Sequence, residues 1–284
     1  MSTTLTANGD VATTPASGSA ATPRYKVTFA RVLRAEWAKF LSLRSTWITL
    51  GVSLLLLVGI GIMSAYRYNP ADTHGPAADA KDAVALALRS VELAQLAVGV
   101  LGVLATAGEY TTGMIRSTLT AVPKRLPVLW SKLGLYFVVV IVVSTAGAFA
   151  SFLGGEGFLS GKPIALTLSS AGVLRCLFEA GFYLALVAVF GAALGMLVRS
   201  VAGGISLLVG TFMLLPIFLD ILPSSWKPNV SPYLPGLEGG AGGSMISLHQ
   251  ASGTLTPGNA TWVLLVWVAV AVLGAAYRLK RTDS

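Results

Sequence analysis

The 284 residues are 54% apolar and only 11% charged, and their mean hydropathy is +0.74. A soluble domain carries about twice that charged fraction and distributes its apolar residues, whereas here they are grouped in long blocks. The composition excludes an ordinary soluble domain and predicts an integral membrane protein. The single cysteine, Cys176, excludes an intrachain disulfide, and the sequence has no C-x-x-C metal or redox motif.

The chain begins with a polar segment that differs in composition from the rest. Residues 1–22 contain no Lys or Arg and no apolar core, so they do not have the pattern of a signal peptide. They also bury too little apolar surface to offset the entropy of ordering the chain. We therefore predict a disordered cytoplasmic tail over 1–23, followed by one transmembrane domain over 24–284.

Residues 27–44 have an amphipathic pattern at about 100° per residue. Arg31, Arg34 and Lys39 lie on one face, and Glu36 is an exception within the apolar face. The apolar face consists of Phe29, Val32, Leu33, Trp37, Phe40 and Leu43. This pattern predicts a helix lying in the membrane interface. Such a helix could be a topology anchor only, or a rigid lever that continues into the first span.

Six stretches are long and apolar enough for membrane helices, since crossing the hydrocarbon core takes about 20 residues. They fall near 46–66, 90–107, 133–153, 176–198, 201–222 and 261–277. Pro216 lies in the fifth stretch and is tolerated in a membrane helix whose neighbours satisfy the freed carbonyl. The sequence therefore predicts an all-α protein with six transmembrane helices.

Basic residues indicate the orientation of these spans. With both termini in the cytoplasm, the inner segments contain fourteen of the 20 Lys and Arg residues. This bias follows the positive-inside rule and predicts a multi-pass protein of the cell membrane. The net charge of +8 is then mostly a consequence of topology, which argues against nucleic acid as a partner.

The longest inner segment, 108–132, contains the basic sequence GEYTTGMIRSTLTAVPKR. A loop that only reverses direction needs about 2–8 residues, and this one is about three times longer. We predict a short helix within TTGMIRSTLTA that ends at Pro123, and a new helix with Pro127 in its first turn. The segment could be a solvated loop that binds lipid headgroups, or it could dock a partner.

Two segments of the chain, 31–47 and 108–125, resemble permease subunits of ABC type-2 exporters, particularly those of high-GC Gram-positive bacteria. The first segment matches the family pattern at Arg34, Glu36, Trp37, Lys39, Ser42, Arg44, Ser45, Thr46 and Trp47. The second matches at Glu109, Tyr110, Gly113, Ile115, Arg116, Thr118, Leu119, Ala121, Val122, Pro123 and Arg125. The six-span plan extends the resemblance over most of the chain.

The resemblance implies that the chain is a permease that pairs as a homodimer or heterodimer and binds separately encoded ATPase subunits. The interfacial helix and the inner loop would be connecting and coupling helices. The residues expected to couple to the partner are Arg34, Trp37, Lys39, Glu109, Tyr110, Gly113, Arg116, Pro123 and Arg125. ATP and Mg²⁺ would bind in the partner, and no cofactor would bind this chain directly.

The sequence itself contains no nucleotide-binding or catalytic motif. EGFLSGKP at 156–163 has Glu156 and Pro163 where a P-loop requires Gly and Ser or Thr. His74 and His249 are expected to be surface residues, since no paired metal spacing accompanies them. We therefore expect a chain that is not an enzyme.

Polar residues near the outer ends of the spans are candidates for a translocation path. Charge inside hydrocarbon is costly, so local pairing is an alternative reading for each of them. Glu92, Gln95 and Glu179 are the best candidates, and Arg175 at i−4 is the predicted partner of Glu179. The small residues of span four predict close packing, either within the chain or between two copies.

Three other functional classes stay open at this stage. An ion-coupled secondary carrier would need deeply buried acidic residues or a pseudo-repeat. A membrane enzyme would need a convergent catalytic pair. A non-transporting scaffold or signalling protein, whose cytoplasmic segments would dock a partner, is the alternative that the sequence excludes least well. The Gly-rich outer loop 223–258 could be a gate, although a flexible connection is the simpler interpretation.

Overall fold

The computed structural model describes residues 28–71, 80–121, 125–221 and 225–281, except for the side chains of Arg116, Leu119, Ala121, Leu219 and Asp220. Within these ranges the chain is helical and has no strand. The predicted tail over 1–23, His74 and Pro123 lie outside the described residues.

The helices follow one another with short connections. The helices up to the middle of the chain are α1 Phe29–Ser42, α2 Arg44–Arg67, α3 Ala83–Leu88, α4 Val91–Thr111, α5 Met114–Ala121 and α6 Leu126–Leu159. The remaining α-helices are α7 Val173–Val198, α8 Val201–Val209, α9 Leu215–Ile221, α10 Lys227–Val230, α11 Ala241–Ile246 and α12 Pro257–Arg281. A π-helical segment, Gly210–Leu214, joins α8 to α9, and a 3₁₀ turn, Ser231–Tyr233, follows α10.

Six helical stretches of the described chain are long and apolar enough to cross a membrane, which confirms the predicted number. They are Arg44–Arg67, Ala83–Thr111, Leu126–Leu159, Val173–Val198, Val201–Phe218 and Pro257–Arg281. Each overlaps one of the six apolar blocks of the sequence. The agreement has a simple cause, because a block of about 20 apolar residues satisfies its backbone in a membrane only as a helix.

Helix α7 is the centre of the bundle, with 83% of its most apolar stretch buried inside the protein. Small residues let α4 approach it closely. A Cβ added at Gly102 would lie 2.1 Å from the carbonyl oxygen of Ala188, and one at Gly191 would lie 2.2 Å from that of Gly99. The Thr106 hydroxyl also donates a 2.8 Å hydrogen bond to the Ala192 carbonyl. These small residues of α7 therefore serve packing within the chain.

Helix α1 differs from the sequence-based prediction in two ways. It does not continue into the first span, because Leu43 adopts an extended conformation between α1 and α2. The predicted apolar face also divides into two. Val32 and Phe40 are buried together with Glu36, whereas the large side chains Phe29, Leu33, Trp37 and Leu43 are exposed. One stripe of the helix thus packs on the bundle and the other faces outward.

The fifth span is interrupted by its π-helical segment just before Pro216. Proline has no backbone N–H, so the carbonyl four residues earlier loses its helical partner. A local π turn is one of the adjustments that accommodate such a residue in a membrane helix.

Contacts between helix ends show which ends lie together. The Arg125 guanidinium, just before α6, donates a 3.2 Å bond to the Leu279 carbonyl near the end of α12. Arg278 of α12 donates to the Leu197 carbonyl at the end of α7. The guanidinium of Arg199, the residue that directly follows α7, lies 5.1 Å from the ring centre of Tyr110 in α4. Most described basic residues therefore lie at one end of the bundle, which we call the basic end.

The long connection between α9 and α12 is packed against the bundle where it is described from Ser231 to His249. Trp267 of α12 donates to the Tyr233 carbonyl at 2.9 Å, and Arg175 of α7 donates to the Ser247 carbonyl at 2.9 Å. Met245 of α11 is buried. This part of the connection is therefore folded against α7 and α12, and glycine allows a close approach at Gly242, where a Cβ would lie 2.6 Å from the Tyr183 ring.

Candidate functional site

The inner segment between the second and third spans begins later than the sequence indicated. Helix α4 extends to Thr111, so Glu109 and Tyr110 belong to a span and not to a loop. Gly113 then turns the chain with a φ of 73°, a left-handed conformation that glycine adopts without the penalty of a Cβ. Helix α5 follows over Met114–Ala121, and Pro127 lies in the first turn of α6 as predicted.

Four charged side chains meet at this end of the bundle, and we call them the four-charge cluster: Glu36, Lys39, Glu109 and Lys132. The Lys132 Nζ lies 2.7 Å from a Glu36 oxygen and 2.8 Å from a Glu109 oxygen. The Lys39 Nζ lies 2.9 Å from the other Glu36 oxygen and 3.1 Å from the same Glu109 oxygen. Two carboxylates and two ammonium groups therefore alternate in a closed ring of no net charge.

Burial makes this cluster more than a surface salt bridge. The side chains of Glu36 and Lys132 are each only 3% exposed, and that of Glu109 is 11% exposed. Burial alone would raise the pKa of the Glu36 carboxyl, but the charges and hydrogen bonds of Lys132 and then Lys39 outweigh it and lower the pKa below its ordinary value. Glu36 is therefore ionised at neutral pH.

The cluster connects four helices. Glu36 and Lys39 belong to α1, Glu109 to α4 and Lys132 to α6. Lys39 also donates a 3.1 Å hydrogen bond to the Thr118 hydroxyl, which brings in α5. The helix that precedes the first span, the short helix after the second and the start of the third are thus linked through one buried set of contacts.

Aromatic packing supports the cluster from the apolar side. Phe40 is 2% exposed and meets the Tyr136 ring of α6 edge to face, with 5.2 Å between ring centres. Phe40 also lies 6.0 Å from the Trp47 ring of α2. The junction between α1 and α2 therefore has apolar contacts through Phe40 and ion pairs through Glu36 and Lys39.

The other residues expected to couple to a partner occupy different positions. Arg34 and Trp37 line a groove between α1 and α6 and are exposed, whereas Glu36 of the same helix is buried in the cluster. Tyr110 and Arg125 contact the ends of neighbouring helices. Gly113 is exposed at the turn before α5. The Arg116 side chain and Pro123 lie outside the described residues.

The three candidate path residues do not come together. Gln95 is buried and accepts a hydrogen bond from the Tyr183 hydroxyl between α4 and α7. Glu92 is exposed and lines a cavity of about 360 Å³ at the opposite end from the four-charge cluster. Glu179 lies in an outward-facing groove and pairs with Arg175 at 2.5 Å, as its i,i+4 spacing predicted. The described residues thus define no common path among them.

His249 is exposed, as predicted, but it is not isolated. Its Nδ1 lies 2.8 Å from Asp82, whose other oxygen accepts a 2.7 Å bond from the Ala85 amide and caps α3. Together they fasten the segment after α11 to the start of the second span. Among the residues that the structure describes, no group of His, Cys, Asp or Glu could hold a metal ion.

Sequence reasoning missed Lys132 as a site residue and treated Glu36 as an imperfection of the amphipathic pattern. Both carried a signal. An acidic residue on the apolar face of a helix needs a cation, and a lysine within the third span needs an anion, because an unpaired buried charge is costly. The sequence did not show that Glu36 and Lys132 pair with each other.

The four-charge cluster joins α1, α4, α5 and α6, and its charged groups contact one another and Thr118. No protein-family model matches this chain, and no curated protein is significantly similar to it. The functional conclusion therefore rests on the motif segments and on the geometry of the four-charge cluster.

Proposed function

We propose that this chain is the membrane-spanning permease subunit of an ATP-driven ABC exporter. In this proposal α1 is an interfacial connecting helix and α5 is a coupling helix that docks on a separate ATPase subunit. The basic end faces the cytoplasm, and both termini of the chain lie there. The bundle spans the plasma membrane, and two permease subunits pair to form the translocation path.

One observation carries the proposal. The two sequence segments that resemble the exporter family lie far apart along the chain, yet Lys39 of the first contacts Glu109 and Thr118 of the second. Glu36 of the first and Glu109 of the second also share one cation, since both contact Lys132. They meet through Lys132 beside a short helix at the basic end. A push on α5 by a soluble motor would therefore reach α1, α4 and α6 together.

The exposed side of α5 supports the docking role. Met114 is 44% exposed, and Ser117 and Thr120 are also exposed. The proposal places the ATPase subunit against this exposed side of α5. The hydrolysis of ATP is assigned to that partner, since this chain has no P-loop.

The test is co-purification of the full chain with a P-loop ATPase from native membranes. Gly113→Pro should reduce association, because proline cannot adopt the φ of 73° and removes the N–H that donates to the Tyr110 carbonyl at 3.3 Å. Arg116→Glu should also reduce association, because it reverses a charge on α5. ATP hydrolysis coupled to transport should fall in parallel, with membrane insertion intact.

Gly108→Ala is the matched control, because a Cβ at this helical position meets no atom within 4 Å. It should leave association unchanged. Undiminished association of both Gly113→Pro and Arg116→Glu would remove the docking role. Purification without any ATPase would remove the exporter assignment and favour a non-transporting scaffold.

A further inference from the structure

A groove of about 530 Å³ runs between α1 and α6 on the outer surface of the bundle. Its walls are mostly apolar, and five of its large apolar side chains are exposed, namely Phe29, Leu33, Trp37, Trp130 and Val138. Trp37 is 45% exposed, Trp130 is 52% exposed and Val138 is 58% exposed. Exposed apolar surface that also forms a concave groove is suited to binding an elongated apolar ligand.

The groove extends from the end of a span toward its middle. Trp130 lies in the second turn of α6, and Val138 is eight residues further along. At 1.5 Å per residue this separation is about 12 Å, which compares with a half-thickness of about 15 Å for the hydrocarbon core. Tryptophan is enriched at the level of the lipid headgroups. Trp37 and Trp130 therefore indicate that the end of the groove near them, which we call its mouth, lies at that level.

One charged side chain lines this groove, that of Arg34. Arg34 is exposed and forms no ion pair with any residue that the structure describes. The nearby carboxylates of Glu36 and Glu109 are already neutralised by Lys39 and Lys132 in the four-charge cluster. The mouth of the groove therefore has a positive charge that an anionic group can match.

A second copy of this chain fits the groove less well. Among the described acidic residues, those at the basic end are Glu36 and Glu109, and both are buried in the four-charge cluster. A symmetric partner would present no exposed carboxylate there to meet Arg34. A lipid supplies both a flexible apolar chain and an anionic headgroup.

We infer that the groove between α1 and α6 binds one acyl chain of an anionic phospholipid, whose headgroup pairs with the Arg34 guanidinium. A guanidinium binds phosphate through charge-assisted, often bidentate hydrogen bonds. The bound lipid fills the space beside the outward stripe of α1 and fixes that helix against α6. The inference requires only that the six helices lie in a bilayer, and it is independent of the proposed export function.

The experiment is native mass spectrometry of the purified full chain in detergent, titrated with phosphatidylglycerol or with phosphatidylcholine. We expect one phosphatidylglycerol to be retained more tightly than phosphatidylcholine. Arg34→Gln should lower this preference by about tenfold, the loss expected for one charge-assisted contact. Arg44→Gln is the matched control, since it removes another exposed arginine from the same end, and it should keep the preference.

Gly134→Leu tests the groove itself. A Cβ at Gly134 meets no atom within 4 Å, so a leucine there fills the groove without moving α6. It should weaken retention of both lipids, whereas Gly59→Leu on the exposed face of α2 should not. Thermal unfolding of each variant verifies that it folds.

Equal retention of the two lipids by the wild type would overturn the inference. So would full retention of phosphatidylglycerol in Gly134→Leu, or a dimer of the chain that this variant alone disrupts. Loss of the ATPase partner with lipid retention intact would count against the proposed function and leave this inference standing.

Discussion

Lys132 illustrates how one residue joins distant parts of the chain. Its ammonium group contacts Glu36 at 2.7 Å and Glu109 at 2.8 Å, and its side chain is only 3% exposed. Lys39 contacts the same two carboxylates but is 26% exposed. Solvent screens the charge of Lys39 and hardly that of Lys132, so the two lysines differ in their contribution to stability.

Lys132→Met should therefore destabilise the protein strongly, by about 3–5 kcal/mol, because it leaves two largely buried carboxylates that share only the partly exposed Lys39. Lys39→Met, the matched control, should cost less, because the ammonium group that it removes is partly exposed and the buried Lys132 still contacts both carboxylates. The measurement is unfolding of the purified protein in detergent, followed by tryptophan fluorescence.

The double variant Glu36→Gln with Lys132→Met keeps the Lys39–Glu109 pair and restores a neutral cluster. It should be more stable than Lys132→Met alone, since the effects of substitutions within one network on the free energy of unfolding are not additive. Equal losses for the two lysine variants would show that the cluster is solvated and not buried.

At the scale of elements, the contact between α4 and α7 depends on the absence of side-chain atoms. The sequence predicted close packing from the small residues of α7 but left open whether the partner was another copy of the chain. Gly191 rests on Gly99, and Gly195 rests on Val103 and Thr106, so the partner is α4 of the same chain. The small residues of a helix indicate that it can pack closely, but which helix packs against it depends on how all the helices are arranged in the bundle.

Gly191→Ala should weaken this contact, because its Cβ would lie 2.2 Å from the Gly99 carbonyl oxygen and would force the helices apart. Overpacking of this kind costs about 1–3 kcal/mol. Gly59→Ala places the same methyl group in open space and serves as the control. We expect a lower fraction of Gly191→Ala to survive heating, as measured by size-exclusion chromatography. Survival equal to that of the control would mean that α4 and α7 are less tightly packed than described.

At the scale of the whole molecule, the helix ends divide the charges between two poles. The four-charge cluster, α5 and the last turn of α12 lie at the basic end, whereas Asp82, Glu92 and Glu179 lie toward the other. The positive-inside rule predicts that the basic end faces the cytoplasm, and the proposed docking of a soluble motor requires the same orientation.

Thiol labelling in whole cells tests this orientation. Ser117→Cys in α5 should react with an impermeant maleimide only after the membrane is permeabilised. Ser160→Cys, exposed just beyond the other end of α6, should react in intact cells. The native Cys176 is fully buried and should contribute little background. Labelling of Ser117→Cys from outside would contradict both the topology and the docking of an internal ATPase.

The sequence alone determined the class of this protein and the number of its spans. Both depend on the summed hydrophobicity of adjacent residues, since about 20 consecutive apolar residues are enough to favour a membrane helix whatever the rest of the chain does. The tertiary structure alone decided that α1 stops at Leu43, that its Glu36 faces Lys132 of α6, and that Glu109 completes the cluster from α4. These pairings join residues far apart in the chain, and the free energy of a buried charge depends on its neighbours in space rather than on those in sequence.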